Sequence, residues 1–165
     1  MKLARAPIIA VSDVDKIMHD MDEKKVVLTN GVFDVFHRGH SDFLSACAEK
    51  GDYLIVGVNQ DHSVRKLKGA DRPLHSFSAR ASVVASIRWV DAVVGYHQDT
   101  ADELLQRIRP NIYIKGSEYS PRTLGKVLPE WETANRLGIS VHFVDLTPGY
   151  SSTAIINSRV PRDID

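Results

Sequence analysis

Two histidines three residues apart, His37 and His40, flank Arg38 and Gly39. An imidazole can donate a hydrogen bond to a phosphate oxygen, and it adds positive charge when protonated. Arg38 adds a permanent cation, and Gly39 withholds a side chain where a phosphate would pass. The chemistry such a group can do is polyanion binding. A zinc site is the competing reading. It needs three or four ligands, and with one cysteine, Cys47, and no His/Cys cluster nearby, the donors are too few. A lone histidine reads as an ordinary loop residue, so the decision rests on what surrounds the pair.

Upstream lies a short apolar run, Val26 to Leu28, which predicts a buried strand. Thr29, Asn30 and Gly31 follow, small and polar, where backbone can approach a ligand. Downstream, Phe43, Leu44, Cys47 and Ala48 repeat helically. The histidines therefore sit between a strand end and a helix N-terminus. In an open α/β sheet that junction binds ligands, and free N–H groups with the helix dipole favour phosphate there.

The rest of the chain supplies the remaining layers. Tyr53 to Val58, Ala92 to Gly95, Asn111 to Ile114 and Ile139 to Val144 read as four further strands. Helices are expected over Ser12–Asp22, from Ser76, over Thr100–Ile108 with Thr100 as cap, and over Pro129–Leu137. Ser120 to Leu128 reads as a loop or short helix. Asn59 to Pro73 is polar and basic, either a solvated loop or a mobile arm that closes over an anion. Thr147 to Ile156 reads as a glycine turn, a hydroxyl cluster and a helix start. Five strands alternating with helices predict an α/β domain with one parallel sheet covered on both faces.

Composition bounds the class. At 165 residues the chain is of one-domain length. Lys plus Arg and Asp plus Glu balance at 21 each, so nothing in the charge points to nucleic acid or an anionic membrane surface. A single cysteine excludes an intrachain disulfide and favours a reducing compartment. The apolar run Ile8 to Val11 is too short for a signal or membrane segment. A cytoplasmic protein is expected.

Thr29-Asn30-Gly31-Val32-Phe33-Asp34 followed by His37-Arg38-Gly39-His40 resembles the signature of the cytidylyltransferase-like nucleotidyltransferases. Within that family the chain resembles the adenylyltransferase domain that makes ADP-heptose from heptose 1-phosphate. The resemblance runs from about Lys25 to Arg159. It implies a single Rossmann-like domain over residues 25–165 with strand order 3-2-1-4-5, preceded by a helical extension over 1–24.

The resemblance also implies a reaction and a site. A phosphate oxygen of a phosphorylated acceptor attacks the α-phosphorus of a nucleoside triphosphate, and pyrophosphate leaves. His37, His40 and Lys68 would be catalytic. Thr29, Asn30, Gly31, Val32, Phe33, Asp34 and Gly39 would line the nucleotide, with Lys66 and Arg80, and Lys115 and Gly116 would lie near the nucleotide or the acceptor. Ser151, Ser152 and Thr153 stand where relatives have Gly-x-Ser-Thr-Thr and would hold the triphosphate. Magnesium is expected to travel with the triphosphate, without dedicated protein ligands. A homodimer is expected, with no nucleic-acid or membrane partner.

ATP is expected over CTP. Relatives that use CTP on glycerol phosphate carry Arg-Thr-x-Gly at the fifth-strand exit, and here Leu146 stands in the arginine's place. Ser117, Glu118, Tyr150 and Ser152 depart from the heptose pattern. The alternatives are a cytidylyltransferase acting on glycerol 3-phosphate or phosphoethanolamine, and a non-catalytic nucleotide-binding regulatory module.

Overall fold

Runs of Val, Ile, Leu and Tyr build the centre of the molecule, because strands covered on both faces need no polar alternation. The structure is a computed structural model that describes residues 4–122 and 126–157. Residues 123–125 of the expected 120–128 segment, and the chain beyond 157 through Arg159, lie outside the described residues. The strands are β1 (Ile8–Ala10), β2 (Val26–Gly31), β3 (Tyr53–Asn59), β4 (Ala92–Tyr96), β5 (Ile112–Gly116) and β6 (Ser140–Val144). They form one sheet in the order β1-β4-β3-β2-β5-β6, every pair parallel.

The expectation of five strands is corrected to six. The five expected strands run β4-β3-β2-β5-β6, and Ile8–Ala10 adds a parallel edge strand beside β4, with Ile9 opposite Val94. Three residues with only Ile9 partly buried carry too little alternation to announce a strand. The stretch 1–24 read as a helical extension thus contains a strand. Its expected helix over Ser12–Asp22 is also shorter. A 3₁₀ turn spans Val11–Asp13 and α1 spans only Asp15–Met18, because Ser12 makes no cap hydrogen bond and buried Val11 and Val14 set the local packing.

Alternation along β2 assigns the two core layers. Val26 and Leu28 face a layer with Val94, Leu104, Leu105 and Tyr113, while Val27 faces Leu44, Cys47, Val56, Ala81 and Val84. Five more helices follow α1 before the last short one: α2 (Arg38–Ala48), α3 (Asp61–Lys68), α4 (Phe77–Ala85), α5 (Asp102–Ile108) and α6 (Trp131–Arg136). Ser152–Asn157 is α7.

The basic stretch read as a loop or arm is mostly the helix α3. Val64 and Ser63 are fully buried and anchor it. Asp61 in its first turn, with Arg65, Lys66 and Lys68 in its last, complements the helix dipole. Thr100 does not cap α5. The Ala101 N–H donates instead to Glu130 Oε1 at 2.8 Å, a carboxylate from across the chain. Among the described residues no helix is long and apolar enough to cross a membrane.

Candidate active site

The β2 strand lies between β3 and β5, at the point where the chain's crossovers change side. Its C-terminal end feeds the histidine loop, and β5 delivers Lys115 and Gly116 beside it. Phe33 turns the chain with φ of +50°, a left-handed backbone that costs a non-glycine residue about 1–3 kcal/mol. That turn buries the Phe33 ring edge-on against His40, at 5.3 Å between centroids.

His37 ends the extended segment and α2 begins at Arg38. The His37 and His40 rings stack, with centroids 3.8 Å apart and planes 18° from parallel. The His37 N–H donates to His40 Nδ1 at 3.4 Å. That nitrogen is therefore the acceptor, and the proton of neutral His40 sits on Nε2. Burial, then the neighbouring His37 and Lys68, pushes the His40 imidazolium down to about 4. Burial lowers His37 as well, and its buried Nδ1 has no hydrogen-bond partner. Both rings are neutral donors at pH 7 until an anion arrives. A Cβ on Gly39 would lie 3.0 Å from both His37 Cε1 and Tyr150 Cβ, so any side chain here would push the His37 ring or the Tyr150 segment aside by a few tenths of an ångström.

These groups open onto one cavity of about 600 Å³. Of the residues expected at the site, it is lined by Asn30, Gly31, Val32, Phe33, His37, Gly39, His40, Lys68, Lys115, Gly116, Ser151, Ser152 and Thr153. Asn30 organises the floor. Its Nδ2 donates to Tyr96 Oη at 2.8 Å, and its Oδ1 accepts from Tyr113 Oη at 2.7 Å and from Lys115 Nζ at 3.2 Å. Burial lowers the Lys68 and Lys115 ammoniums, the second opposed by Glu130 and Glu118. Two of the three hydroxyls at the glycine turn already have local work: Ser151 Oγ accepts from Ala154 N and Ser152 Oγ donates to the Val35 carbonyl.

Four expected site residues stand outside the cavity lining. Thr29 is fully buried and donates to the Ile114 carbonyl, tying β2 to β5. Asp34 is buried beneath the loop and accepts from Arg72 Nε, Leu74 N and His75 N at 2.7–2.9 Å. Burial raises its carboxyl, but those donors outweigh it and hold the carboxyl below its ordinary range. Lys66 is exposed and paired with Asp99. Arg80 is wholly buried, and its guanidinium is consumed by the His75, Val32 and Asn59 carbonyls and by Asp61. It braces the ends of β2 and β3 and does not reach the cavity lining.

Sequence reasoning missed Tyr96, Tyr119, Lys126 and Glu130, all at the cavity. Tyr96 closes β4 at its C-terminal end, so the strand-end rule could have found it. Glu130 gave no signal, because its importance lies in contacts with residues 15 to 30 positions away.

The model of the family described as cytidylyltransferase-like matches residues 28–158. The chain belongs to the cytidylyltransferase-like family. Within it, the chain is 42% identical over 123 residues to the D-beta-D-heptose 1-phosphate adenylyltransferase of Bordetella bronchiseptica, covering 74% of this chain and 73% of that protein. It is 38% identical over 146 residues to the bifunctional protein HldE of Helicobacter pylori, covering 88% of this chain and spanning 30% of HldE's length. A crystal structure of the lipopolysaccharide core biosynthesis protein of Thermoplasma volcanium superposes with a TM-score of 0.61 at 26% identity, over 75% of this chain and 97% of that one. The family resemblance and the likeness to the heptose adenylyltransferases are thus borne out.

A divalent cation commonly accompanies a nucleoside triphosphate. Among the described residues no three His, Cys, Asp or Glu side chains gather as a metal cage. Of the cavity carboxylates, Asp99 is paired with Lys66, while Glu118 and Glu130 each keep an oxygen without a hydrogen bond but stand against the Lys115 ammonium. The donor set fits magnesium arriving on the phosphates with its own waters.

Proposed function

We propose that the chain transfers AMP from ATP to a sugar 1-phosphate, a heptose 1-phosphate or a close analogue, with release of pyrophosphate. The observation that carries this reading is the stacked His37–His40 pair, opening with Lys68, Lys115 and the Ser151–Thr153 turn onto one cavity. The name of the Bordetella relative supports the acceptor class. Leu146 at the fifth-strand exit supports ATP, since it lines the cavity without a guanidinium to bond cytosine.

An acceptor phosphate is already an anionic nucleophile, so no strong base is needed. One of its oxygens forms the new bond to the α-phosphorus as the α,β-bridge bond breaks, and the electron pair leaves with pyrophosphate. The protein aligns the two phosphates and stabilises charge as it develops. The Nε2–H of His40 donates toward the α-phosphoryl region, with His37 beside it. Lys68 neutralises the leaving pyrophosphate. Magnesium, when bound with the triphosphate, supplies further charge neutralisation. The reading extends to a homodimer in the cytoplasm, which sedimentation velocity and fractionation would check.

The test is pyrophosphate release across ATP, CTP, GTP and UTP, each with heptose 1-phosphate, glycerol 3-phosphate and phosphoethanolamine. ATP with the heptose phosphate is the expected productive pair. A CTP preference of about tenfold in kcat/KM, roughly 1.4 kcal/mol, overturns the nucleotide assignment. Turnover only with a non-sugar phosphate overturns the acceptor assignment.

A further inference from the structure

At the side of the cavity formed by β5 and the segment before α6, two carboxylate oxygens are buried without partners: Oε2 of Glu130 and Oε2 of Glu118. Glu130 is only 3% exposed. Its Oε1 serves the fold by accepting from the Ala101 N–H at 2.8 Å. The Tyr113 hydroxyl lies beside it, but that hydroxyl's one proton goes to Asn30 Oδ1 at 2.7 Å. Glu130 Oε2 is left with no donor. Glu118 folds back over Gly116, where a Cβ would come within 2.1 Å of its Oε2, so the glycine is what seats this carboxylate. A buried acceptor without a donor costs on the order of 1–3 kcal/mol, more when it is charged. Two of them on one cavity ask for donors from a ligand.

The surroundings say which donors. Lys115 and Lys126 both hold their ammoniums against the Tyr119 ring, at 4.9 and 5.4 Å from its centroid. These two ammoniums balance the charge of the Glu130 and Glu118 carboxylates, so a further cation gains no net attraction here. Neutral hydroxyls can bond the open oxygens without adding charge, and the lysines favour an attached phosphate.

We propose that Glu130, assisted by Glu118, is the specificity-determining residue for the acceptor and takes hydrogen bonds from hydroxyls of a polyhydroxylated phosphate. This rests on the nucleotidyl-transfer reading above and assigns the Lys115 end of the cavity to the acceptor. A loss of α,β-methylene ATP affinity in Glu130→Gln would overturn that assignment by placing the nucleotide's own hydroxyls there. It explains why Glu130 carries a full carboxylate where one oxygen would suffice for the helix contact.

Glu130→Gln separates the two roles. The amide keeps an oxygen for Ala101 and turns the second acceptor into a donor. Binding is measured by titration calorimetry, with heptose 1-phosphate, phosphoethanolamine and methyl phosphate added to protein saturated with α,β-methylene ATP and magnesium. Turnover is followed in parallel. Expected is a loss of about ten- to hundredfold in heptose 1-phosphate affinity, the range for a hydrogen bond to a charged group. Methyl phosphate affinity, analogue affinity and Tm should stay within twofold and 2 °C or so. Glu118→Gln, which does not touch α5, should give a smaller loss in the same direction. Equal heptose phosphate binding by wild type and both variants overturns the proposal. So does a parallel loss for methyl phosphate, or tighter wild-type binding of phosphoethanolamine than of the sugar phosphate. If wild type binds the sugar phosphate through Glu130 but releases no pyrophosphate with any triphosphate, the reaction reading fails and the acceptor site stands.

Discussion

His40 is held on three sides by rings: His37 at 3.8 Å, Phe33 at 5.3 Å and Phe36 at 5.4 Å. That packing aims Nε2–H and keeps the ring neutral. His40→Ala should lower kcat by roughly 10²–10³-fold, the loss typical of one transition-state donor. Because the ring also fills space, stability should drop by about 1–2 kcal/mol. Single-turnover kinetics beside urea denaturation checks both, and a variant that keeps full turnover removes His40 from the chemistry.

The same residue sets an acid limit. The folded protein holds His40 down to about 4, against 6.5 in the unfolded chain. Between these values the unfolded state takes up a proton that the folded state refuses. Stability is therefore full above pH 6.5 and falls as pH drops toward 4, by on the order of 3 kcal/mol. Asp34 acts in a lower window. Its folded carboxyl lies below the ordinary value, so its contribution is present above about pH 4 and is lost as pH falls through the folded pKa. Urea midpoints from pH 8 to pH 3 should show two successive declines. His40→Gln should remove most of the first, leaving the smaller share that His37 contributes in the same direction, and leave the second.

At the scale of elements, Asp34 is the pin between the histidine loop and the segment that joins α3 to α4. It accepts two backbone N–H groups and the Arg72 guanidinium, whose side chain is 12% exposed. Asp34→Asn should leave Arg72 buried without its counter-charge and cost roughly 3 kcal/mol, near the low end for breaking one partner of a buried pair. Amide exchange should accelerate at Leu74 and His75, whose N–H groups lose a carboxylate acceptor. Unchanged protection at both would mean that the segment is held by other contacts. Arg80 works in the same way from the other side. Through Val32, Asn59 and Asp61 it joins α4 to the ends of β2 and β3. Much of the site's precision comes from these two buried charges, neither of which lines the cavity.

Across the whole molecule, the sheet is completed by its first strand. β1 covers the edge of β4, and Ile9 packs against the core layer that holds Val94 and Leu104. An uncovered parallel edge presents free N–H and C=O groups to other chains. Ile9→Asp should place an unpaired carboxylate against that layer, cost about 2–4 kcal/mol and promote self-association through β4. Light scattering during thermal unfolding, beside the urea midpoint, reads both effects. A stable, monodisperse variant would show that β1 is dispensable.

What the residues themselves determined is local or periodic. The apolar runs from Val26, Tyr53, Ala92 and Ile112 specified strands, because burial on both faces writes itself as unbroken hydrophobicity. His-x-Gly-His after such a run marked the strand-to-helix junction that lines the cavity, since strand end, glycine and helix start are neighbours in the chain. Only the tertiary structure decided the rest. Whether a basic residue faces a phosphate or a carboxylate depends on partners far away in sequence, so Lys68 reached the cavity while Lys66 turned to Asp99 and Arg80 was buried among carbonyls. Ile8–Ala10 became a strand because β4 offered an open edge, not because three residues prefer it. Glu130 acquired its unpartnered oxygen because Tyr113 gives its one proton to Asn30, a competition among three residues spread over a hundred positions of chain.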